Sequence, residues 1–289
     1  MKKNILLFGA LIGAFLMVSC SGGNKKQAAS SVTPEELDNA SKVINYYHTS
    51  LIVLRHVANA KDINAVLGYM EQTGKVPEVA LIAPPEVSVR DTAELMNPGV
   101  YFNDEVRQNL IQNYRGLFTS RAQFYANFDK FLSYRKDNKK AETTKLLKEN
   151  YQLSIAMSEY KQVIFDILSP LTEQAEKELL ADEPLKDQIM AMRKMSGTVQ
   201  SIMNLYSRKH VMDGMRIDVK MAELKKELEA AKKLPAVTGY DEELKNYQSF
   251  LSSVESFMKD MQKARDKGAY SDADYNAMSD AYEYGLSVI

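Results

Sequence analysis

The sequence predicts an all-α protein, built as an elongated antiparallel helical bundle with long coiled-coil-like helices and one proline-rich loop excursion. Two observations lead to this fold class. Apolar side chains recur at alternating four- and three-residue spacing through most of the 289 residues, which is the period of a helix face. Only 13 glycines and 8 prolines occur, too few for the turns of an all-β fold. With 45% hydrophobic and 26% charged residues, the composition is that of a folded chain.

The first element, residues 1–19, is predicted to be a lipoprotein signal peptide. Two lysines precede an apolar run, Ile5–Val18, that is shorter than the roughly 20 residues of a membrane-spanning helix. The run ends in Leu16-Met17-Val18-Ser19-Cys20, which resembles the lipobox of bacterial lipoproteins, with Met17 at the place where leucine is preferred. The resemblance implies cleavage before Cys20 and attachment of acyl chains such as palmitate to this residue. Several acyl chains would anchor the protein stably to a membrane.

Residues 20–32 are predicted to be the lipidated cysteine and a flexible tether, because the side chains after Cys20 are mostly small and polar. The resemblance to Gram-negative lipoproteins extends to sorting, in which aspartate after the cysteine retains the protein in the inner membrane. Ser21 stands there instead and implies the outer membrane. Lys25 and Lys26 have the opposite sign to the acidic tract that marks surface export. We therefore expect the domain to face the periplasm.

Residues 33–289 are predicted to form a single helical-bundle domain. Thr33-Pro34-Glu35-Glu36 has the pattern of a capping box with proline at the first helical position, so helix one begins there. Its apolar positions are Leu37, Ala40, Ile44, Tyr47, Leu51, Leu54 and Ala58. A second helix over about 103–136 repeats the spacing with one charged exception, Arg121. The positions of this second stripe are Leu110, Tyr114, Leu117, Arg121, Phe124, Phe128 and Phe131.

The remaining stripes continue the pattern to the end of the chain. The third leads to Pro170, where we expect a kink, and the helix restarts after Pro184. Its positions are Leu146, Asn150, Leu153, Met157, Tyr160, Ile164 and Ile167. Further stripes begin at Leu185, Ile217, Leu244 and Tyr275. Several of these segments exceed 30 residues, so they are on the order of 50 Å long and need long partner helices.

Residues 75–100 interrupt this regularity and are predicted to be a non-helical excursion. They hold four of the eight prolines, at Pro77, Pro84, Pro85 and Pro98. A connection of this length is uncommon unless it is functional or disordered. We expect that a short Gly/Ser linker could replace residues 75–98 without unfolding the domain, at the expense of partner binding.

Recognisable catalytic motifs are missing from the sequence, which contains no nucleophile elbow, Walker loop, dinucleotide-binding loop or zinc-protease motif. The three histidines are His48, His56 and His210, and none follows an acidic residue at three or four positions, which argues against a carboxylate-bridged metal centre. A formal net charge of −1 argues against nucleic acid as a partner. The sequence thus predicts no enzyme activity, no cofactor and no metal site. It leaves the oligomeric state open.

The candidate polar site lies where the fourth stripe is interrupted. His210 continues this stripe and is followed by Asp213 and Gly214, while Arg121 is the lone charge in the second stripe. One interpretation is a polar pocket or hinge at His210, Asp213 and Arg121. The other is a buried polar pair or a break between two helices, with Arg121 paired to Asp213 or extended to the rim of the bundle.

A separate short motif, Asp91-Thr92-Ala93, resembles the O-glycosylation site of one group of Gram-negative bacteria. The resemblance makes Thr92 a candidate glycosylation site.

The lipobox, the polar tether and the helical body together resemble the YiiG-like helical lipoproteins, a family of unknown function. The nearest local likeness is Lys42-Val43-Ile44-Asn45-Tyr46-Tyr47 in the first long helix. The sequence therefore favours a binding or scaffold lipoprotein that holds an envelope partner, for instance a protein. The alternative is a ligand carrier or enzyme with a polar site inside the bundle near His210 and Asp213.

Overall fold

The computed structural model describes residues 32–72, 84–206 and 214–267. Helices make up 83% of these residues and strands none of them, so the all-α prediction is confirmed. The helices are α1 Pro34–Val57, α2 Ala60–Glu71, α3 Val89–Leu95, α4 Asp104–Lys136, α5 Lys140–Leu179, α6 Lys186–Tyr206, α7 Gly214–Ala231 and α8 Asp241–Asp266.

The start of α1 has the predicted capping box. The backbone N–H of Thr33 donates to the Glu36 carboxylate at 2.7 Å, and the N–H of Glu36 donates to the Thr33 hydroxyl at 3.3 Å. The bond from the Thr33 N–H, together with one of 2.8 Å from the Thr33 hydroxyl to the same carboxylate, stabilises the charged form and lowers the pKa of Glu36. The helix start is therefore fixed by residues adjacent in sequence.

The contacts of the chain fall into two compact units, whereas the sequence led us to expect one domain. Unit 1 comprises residues 1–41, 173–199 and 221–289, and unit 2 comprises residues 42–172 and 200–220. The long helix α5 has residues in both, and it continues through Pro170 to Leu179. The hydroxyl of Thr172 donates to the carbonyl of Leu168 at 3.0 Å, next to the position where proline lacks an N–H.

The long helices α4 and α5 run antiparallel, as two hydrogen bonds between them show. In unit 2, Asn127 of α4 donates to Glu149 of α5, and Asn150 of α5 donates to the carbonyl of Phe124 of α4. In unit 1, the hydroxyl of Tyr247 in α8 donates to the carbonyl of Ala231 at the end of α7.

Helices α1 and α2 instead run parallel to α4 in unit 2. Tyr46 of α1 stacks edge-on against Phe102, just before α4, and Ser50 bonds to Tyr114 within α4. Farther along, Tyr69 of α2 packs edge-on against Phe128. These contacts advance in the same direction on both partners. A parallel pair of this kind needs a long return connection between its members.

The proline-rich segment provides that return. At the end of α2, the carbonyl of Gln72 accepts a hydrogen bond from Arg135, near the end of α4. Pro85 then contacts Arg121 in the middle of α4, and Leu95 contacts Tyr46 next to the start of α4. The described part of the segment, residues 84–100, therefore runs back alongside α4. We call these residues the crossover.

The prediction that residues 75–100 are non-helical is wrong for residues 89–95, which form α3. The hydroxyl of Ser88 caps this helix by accepting from the N–H of Asp91 at 3.2 Å, and the last proline of the segment, Pro98, comes only after the helix has ended. Leu95 and Phe102 are buried in the core of unit 2. The stretch Val79–Ala83 lies outside the described residues.

The predicted stripes differ in accuracy. Every apolar member of the α4 stripe is buried, and only Arg121 is half-exposed. In α1 most of the predicted stripe is buried, including Ala40, Ile44, Leu54 and Ala58, but the predicted Tyr47 is half-exposed. Its neighbour Tyr46 is fully buried instead and contacts Phe102. Both tyrosines fit a helical spacing, so only the neighbouring helices select between them.

Candidate functional site

Arg121 is the only member of the predicted polar site within the described residues, since His210 and Asp213 lie in the segment 207–213 outside them. Its Nη2 donates to the carbonyl of Pro85 at 2.5 Å, and its guanidinium lies 5.4 Å from the centre of the Tyr125 ring. Burial lowers the pKa of Arg121, against the opposing effects of Tyr125 and Asp62. Arg121 therefore holds the crossover onto α4, and its expected pairing with Asp213 stays a prediction.

Thr92, the candidate glycosylation residue, lies in α3 and is half-buried. Its hydroxyl donates to the carbonyl of Ser88 at 2.9 Å. A glycan at this position would have to replace that hydrogen bond. Glycosylation of Thr92 stays a prediction.

A group of buried polar side chains joins α5 to α6 inside unit 2, and we call it the polar ladder. The polar ladder consists of Ser158, Gln162, Ser201 and Asn204, all of them buried. Asn204 donates to the carbonyl of Ser158 and to Oε1 of Gln162, both at 3.1 Å. Gln162 in turn donates to the Ser201 hydroxyl at 3.3 Å and to Asp166 at 3.0 Å. These residues end only three positions before the segment that contains His210.

The chemistry of the polar ladder is that of pairing rather than catalysis. Its four buried members are amides and hydroxyls, and the hydrogen bonds described above join them to one another, to helix backbone and to exposed Asp166. Buried polar groups that satisfy one another fix the register of two helices. We interpret the polar ladder as the feature that sets α6 against α5 in unit 2.

Lys161 is a half-buried cation that the sequence analysis missed. Its ammonium Nζ donates to the carbonyl of Ala58, just beyond the end of α1, at 3.3 Å. Burial, with a smaller contribution from the nearby charge of Arg55, lowers the pKa of Lys161 to about 8. The lysine therefore places a positive charge at the negative end of α1. No local pattern indicated this, because Ala58 and Lys161 are 103 positions apart.

Unit 1 contains a partly buried ionic pair. Glu176 of α5 is buried and accepts a hydrogen bond from the guanidinium of Arg193 in α6. Burial raises the pKa of Glu176 and outweighs the opposing effect of Arg193. On the same helix, the hydrogen bond from Lys177 lowers the pKa of Glu173. The two glutamates thus differ because one is desolvated and the other accessible to water.

The described residues contain neither a cluster of metal ligands nor a membrane-spanning helix. Within residues 32–72, 84–206 and 214–267, no three His, Cys, Asp or Glu side chains are grouped so that they could hold a metal ion. None of the helices in these ranges is both long and apolar enough to cross a membrane. Cys20 lies outside the described residues.

Comparison with protein families and solved structures finds helical proteins without a known activity. Residues 34–182 match the family described as Domain of unknown function (DUF6845), and residues 184–287 match the family described as DUF3829-like, C-terminal domain. An uncharacterized DUF3829-like protein from Bacteroides thetaiotaomicron VPI-5482 is 76% identical with a TM-score of 0.80. The match covers 88% of this chain and 100% of that one.

A second solved structure, an alpha helical protein from Bacteroides fragilis NCTC 9343, is 58% identical with a TM-score of 0.83. The covered shares are again 88% of this chain and 100% of that one. Comparison with curated proteins gives no significant match.

Proposed function

The chain belongs to the DUF3829-like family of all-helical proteins of unknown function, and we propose from its N-terminal sequence that it is a lipid-anchored binding module of the cell envelope. In this proposal Cys20 bears the acyl chains, residues 20–32 are the tether, and the helical units face the periplasm from the outer membrane. The likeness to the YiiG-like helical lipoproteins is part of the same proposal.

The observation that carries the proposal is the combination of the lipobox-like Leu16-Met17-Val18-Ser19-Cys20 with the polar tether that follows it. An apolar run of this length followed by cysteine fits an exported, acylated protein better than a spanning helix. A free, reactive thiol suits an exported protein poorly, whereas an acylated one is an anchor.

The interior of unit 2 supports binding rather than catalysis. The polar ladder joins helices to each other, and Arg121 holds backbone of the crossover. The buried polar ladder and half-exposed Arg121 are engaged in maintaining the fold, which favours the outer surface of the described residues for binding.

The test of the anchor is the variant Cys20→Ser, expressed in the native envelope. We expect it to leave the membrane fraction after an alkaline wash or to stay unprocessed, while the wild type stays with the membranes. If the serine variant fractionates with washed membranes as the wild type does, the anchor proposal is wrong.

The test of the binding function is chemical crosslinking in the native envelope, followed by mass spectrometry. Reproducible crosslinks from surface lysines to an envelope component support the binding module. The alternative, a carrier or enzyme with a site near His210, is tested by His210→Leu. Loss of a measurable activity at unchanged stability would favour that alternative over the binding module.

A further inference from the structure

The charges of the chain are unevenly distributed, with a basic concentration where α4 turns into α5. Residues 130–148 contain seven basic and two acidic side chains, whereas the rest of the chain contains 30 basic and 36 acidic ones. We call residues 130–148 the basic tip. Its basic members are Lys130, Arg135, Lys136, Lys139, Lys140, Lys145 and Lys148. A local excess of positive charge on an acidic remainder attracts polyanions to this place.

Most of these charges are exposed and available. All six lysines of the basic tip are exposed, and only Arg135 is half-buried, under the rings of Tyr69 and Phe131. Lys139 pairs with Asp137 at 3.3 Å, and Lys145 with Glu149 at 3.9 Å. In the described part of the chain, the other four lysines, which are Lys130, Lys136, Lys140 and Lys148, have no carboxylate within 4.0 Å.

The turn holds the lysines of the two helices together. Asn138 takes a left-handed conformation, with φ of 58°, and the N–H of Lys139 donates to the carbonyl of Tyr134 at 2.9 Å. This closure of α4 leaves only three residues before α5 begins at Lys140. The last turn of α4 and the first turn of α5 therefore present their charges side by side.

Two of the lysines stand where helix electrostatics disfavours them. Lys139 and Lys140 lie at the N-terminal end of α5, which is the positive end of the helix dipole. The acidic residue of this first turn is Glu142, and acidic residues also stand in the first turns of α1 and α8. Helix electrostatics therefore does not account for the two lysines.

The surface of the basic tip suits a hydrophilic partner rather than a lipid surface. The exposed large hydrophobic side chains of the described residues are Ile52, Val89, Val100, Val163, Met215 and Val219, all outside residues 130–148. Phe131 and Leu146 are buried. Helices that lie on membranes combine positive charge with an exposed apolar face, which the basic tip does not have.

Within unit 2, the basic tip lies at the C-terminal end of α4. The other end of α4 lies near α1, since Phe102 contacts Tyr46, and α4 is about 50 Å long at 1.5 Å per residue. The basic tip and the Tyr46 contact are therefore at opposite ends of α4.

From these observations we propose that the basic tip is a docking surface for the carboxylate-rich peptide stems of peptidoglycan, an inference that rests on the proposed location in the periplasm. The convex end of a helical hairpin cannot enclose a small ligand, but it can lie against an extended polymer that repeats its negative charges. The contact is electrostatic, so salt weakens it.

The experiment is co-sedimentation of the full-length protein, purified in detergent, with isolated peptidoglycan sacculi. The tip variant replaces Lys136, Lys139, Lys140 and Lys148 with glutamine. The matched control replaces four exposed lysines elsewhere, which are Lys225, Lys226, Lys233 and Lys245. Circular dichroism checks that both variants keep their helices, which exposed substitutions of this kind preserve.

We expect the wild type and the control to bind sacculi equally and the tip variant to bind about tenfold less or not at all. Raising the salt from about 0.05 M to about 0.5 M should release the wild type, as should amidation of the sacculus carboxylates. Equal binding by wild type and tip variant would overturn the proposal. So would vesicles of anionic phospholipid that bind the wild type and the control more strongly than the tip variant while sacculi bind none of the three, because the tip would then recognise lipid; the acyl anchor is common to all three proteins and cancels in this comparison.

These outcomes are independent of the anchor test. The sacculi measurement uses purified protein and does not depend on where the lipid is attached. If Cys20→Ser stays with the washed membranes while sacculi bind the wild type, the anchor proposal is wrong and the docking surface stands. If Cys20→Ser leaves the membranes while sacculi bind wild type and tip variant equally, the anchor stands and the docking surface is wrong.

Discussion

The hydroxyl of Tyr46 in α1 donates a hydrogen bond of 2.9 Å to the backbone carbonyl of Leu95, the last residue of α3, across 49 positions of sequence. The Tyr46 ring also meets Phe102 edge-on at 5.1 Å. Burial raises the pKa of Tyr46 well above its usual value. This single side chain therefore holds the C-terminal end of α3 and the residues just before α4 against the first helix.

Removing the Tyr46 hydroxyl should destabilise unit 2. Tyr46→Phe keeps the ring but leaves the Leu95 carbonyl buried without that donor, which costs about 1–3 kcal/mol. Urea unfolding followed by circular dichroism measures the loss. Tyr134→Phe is the matched control, since Tyr134 is half-exposed and should change the free energy of unfolding by less than about 0.5 kcal/mol. Equal effects of the two changes would show that the hydrogen bond contributes nothing.

The crossover should behave as part of the core, contrary to the expectation that a linker could replace residues 75–98. Leu95 is 0% exposed, so Leu95→Ala should cost about 2–5 kcal/mol. Val100, in the same segment, is 90% exposed, so Val100→Ala should stay within about 0.5 kcal/mol of the wild type. Thermal unfolding of both variants checks this. An unchanged melting temperature for Leu95→Ala would restore the view of a dispensable loop.

The polar ladder should show strong coupling between Gln162 and Asn204. Asn204→Leu alone leaves buried Oε1 of Gln162 without its donor and should cost about 1–3 kcal/mol. The double variant Gln162→Leu with Asn204→Leu removes both partners, so its loss should be smaller than the sum of the single losses. A double-mutant cycle in denaturant measures the difference. Strict additivity would mean that the two amides do not act together.

The stability of the fold should rise with pH because of Lys161. Its folded pKa of about 8 is lower than the ordinary value of 10.5, so the unfolded chain binds more protons between these values and stability increases through that window. Lys161→Met should be more stable than the wild type at pH 7 by on the order of 2 kcal/mol, allowing for a half-buried side chain.

The measurement for Lys161 is denaturant unfolding of both proteins at pH 7 and at pH 9.5. The difference between variant and wild type should shrink at the higher pH, where Lys161 is largely neutral in the folded chain. Staying below pH 10 keeps the tyrosines protonated. A constant difference at the two pH values would place the pKa of Lys161 at its ordinary value.

Much of the local structure could be predicted from the sequence. The capping box at Thr33 and the α4 stripe from Leu110 to Phe131 both appear in the structure as predicted. Both depend on residues within one or two turns of each other, so the sequence contains all that determines them. Of the candidate site, only Arg121 could be compared, and its contact with Pro85 lies 36 positions away.

The sequence by itself thus determined the helical class, the capped start of α1 and the apolar face of α4, because these follow from periodicity and short-range hydrogen bonds. Only the tertiary structure decided that Tyr46 rather than Tyr47 is buried and that the proline-rich segment is a crossover. It also decided that Lys161 is desolvated beside the carbonyl of Ala58. The physical reason is separation along the chain. Burial and desolvation depend on partners 49 to 103 positions away, and helical periodicity specifies which face of a helix is apolar without specifying which helix will cover it.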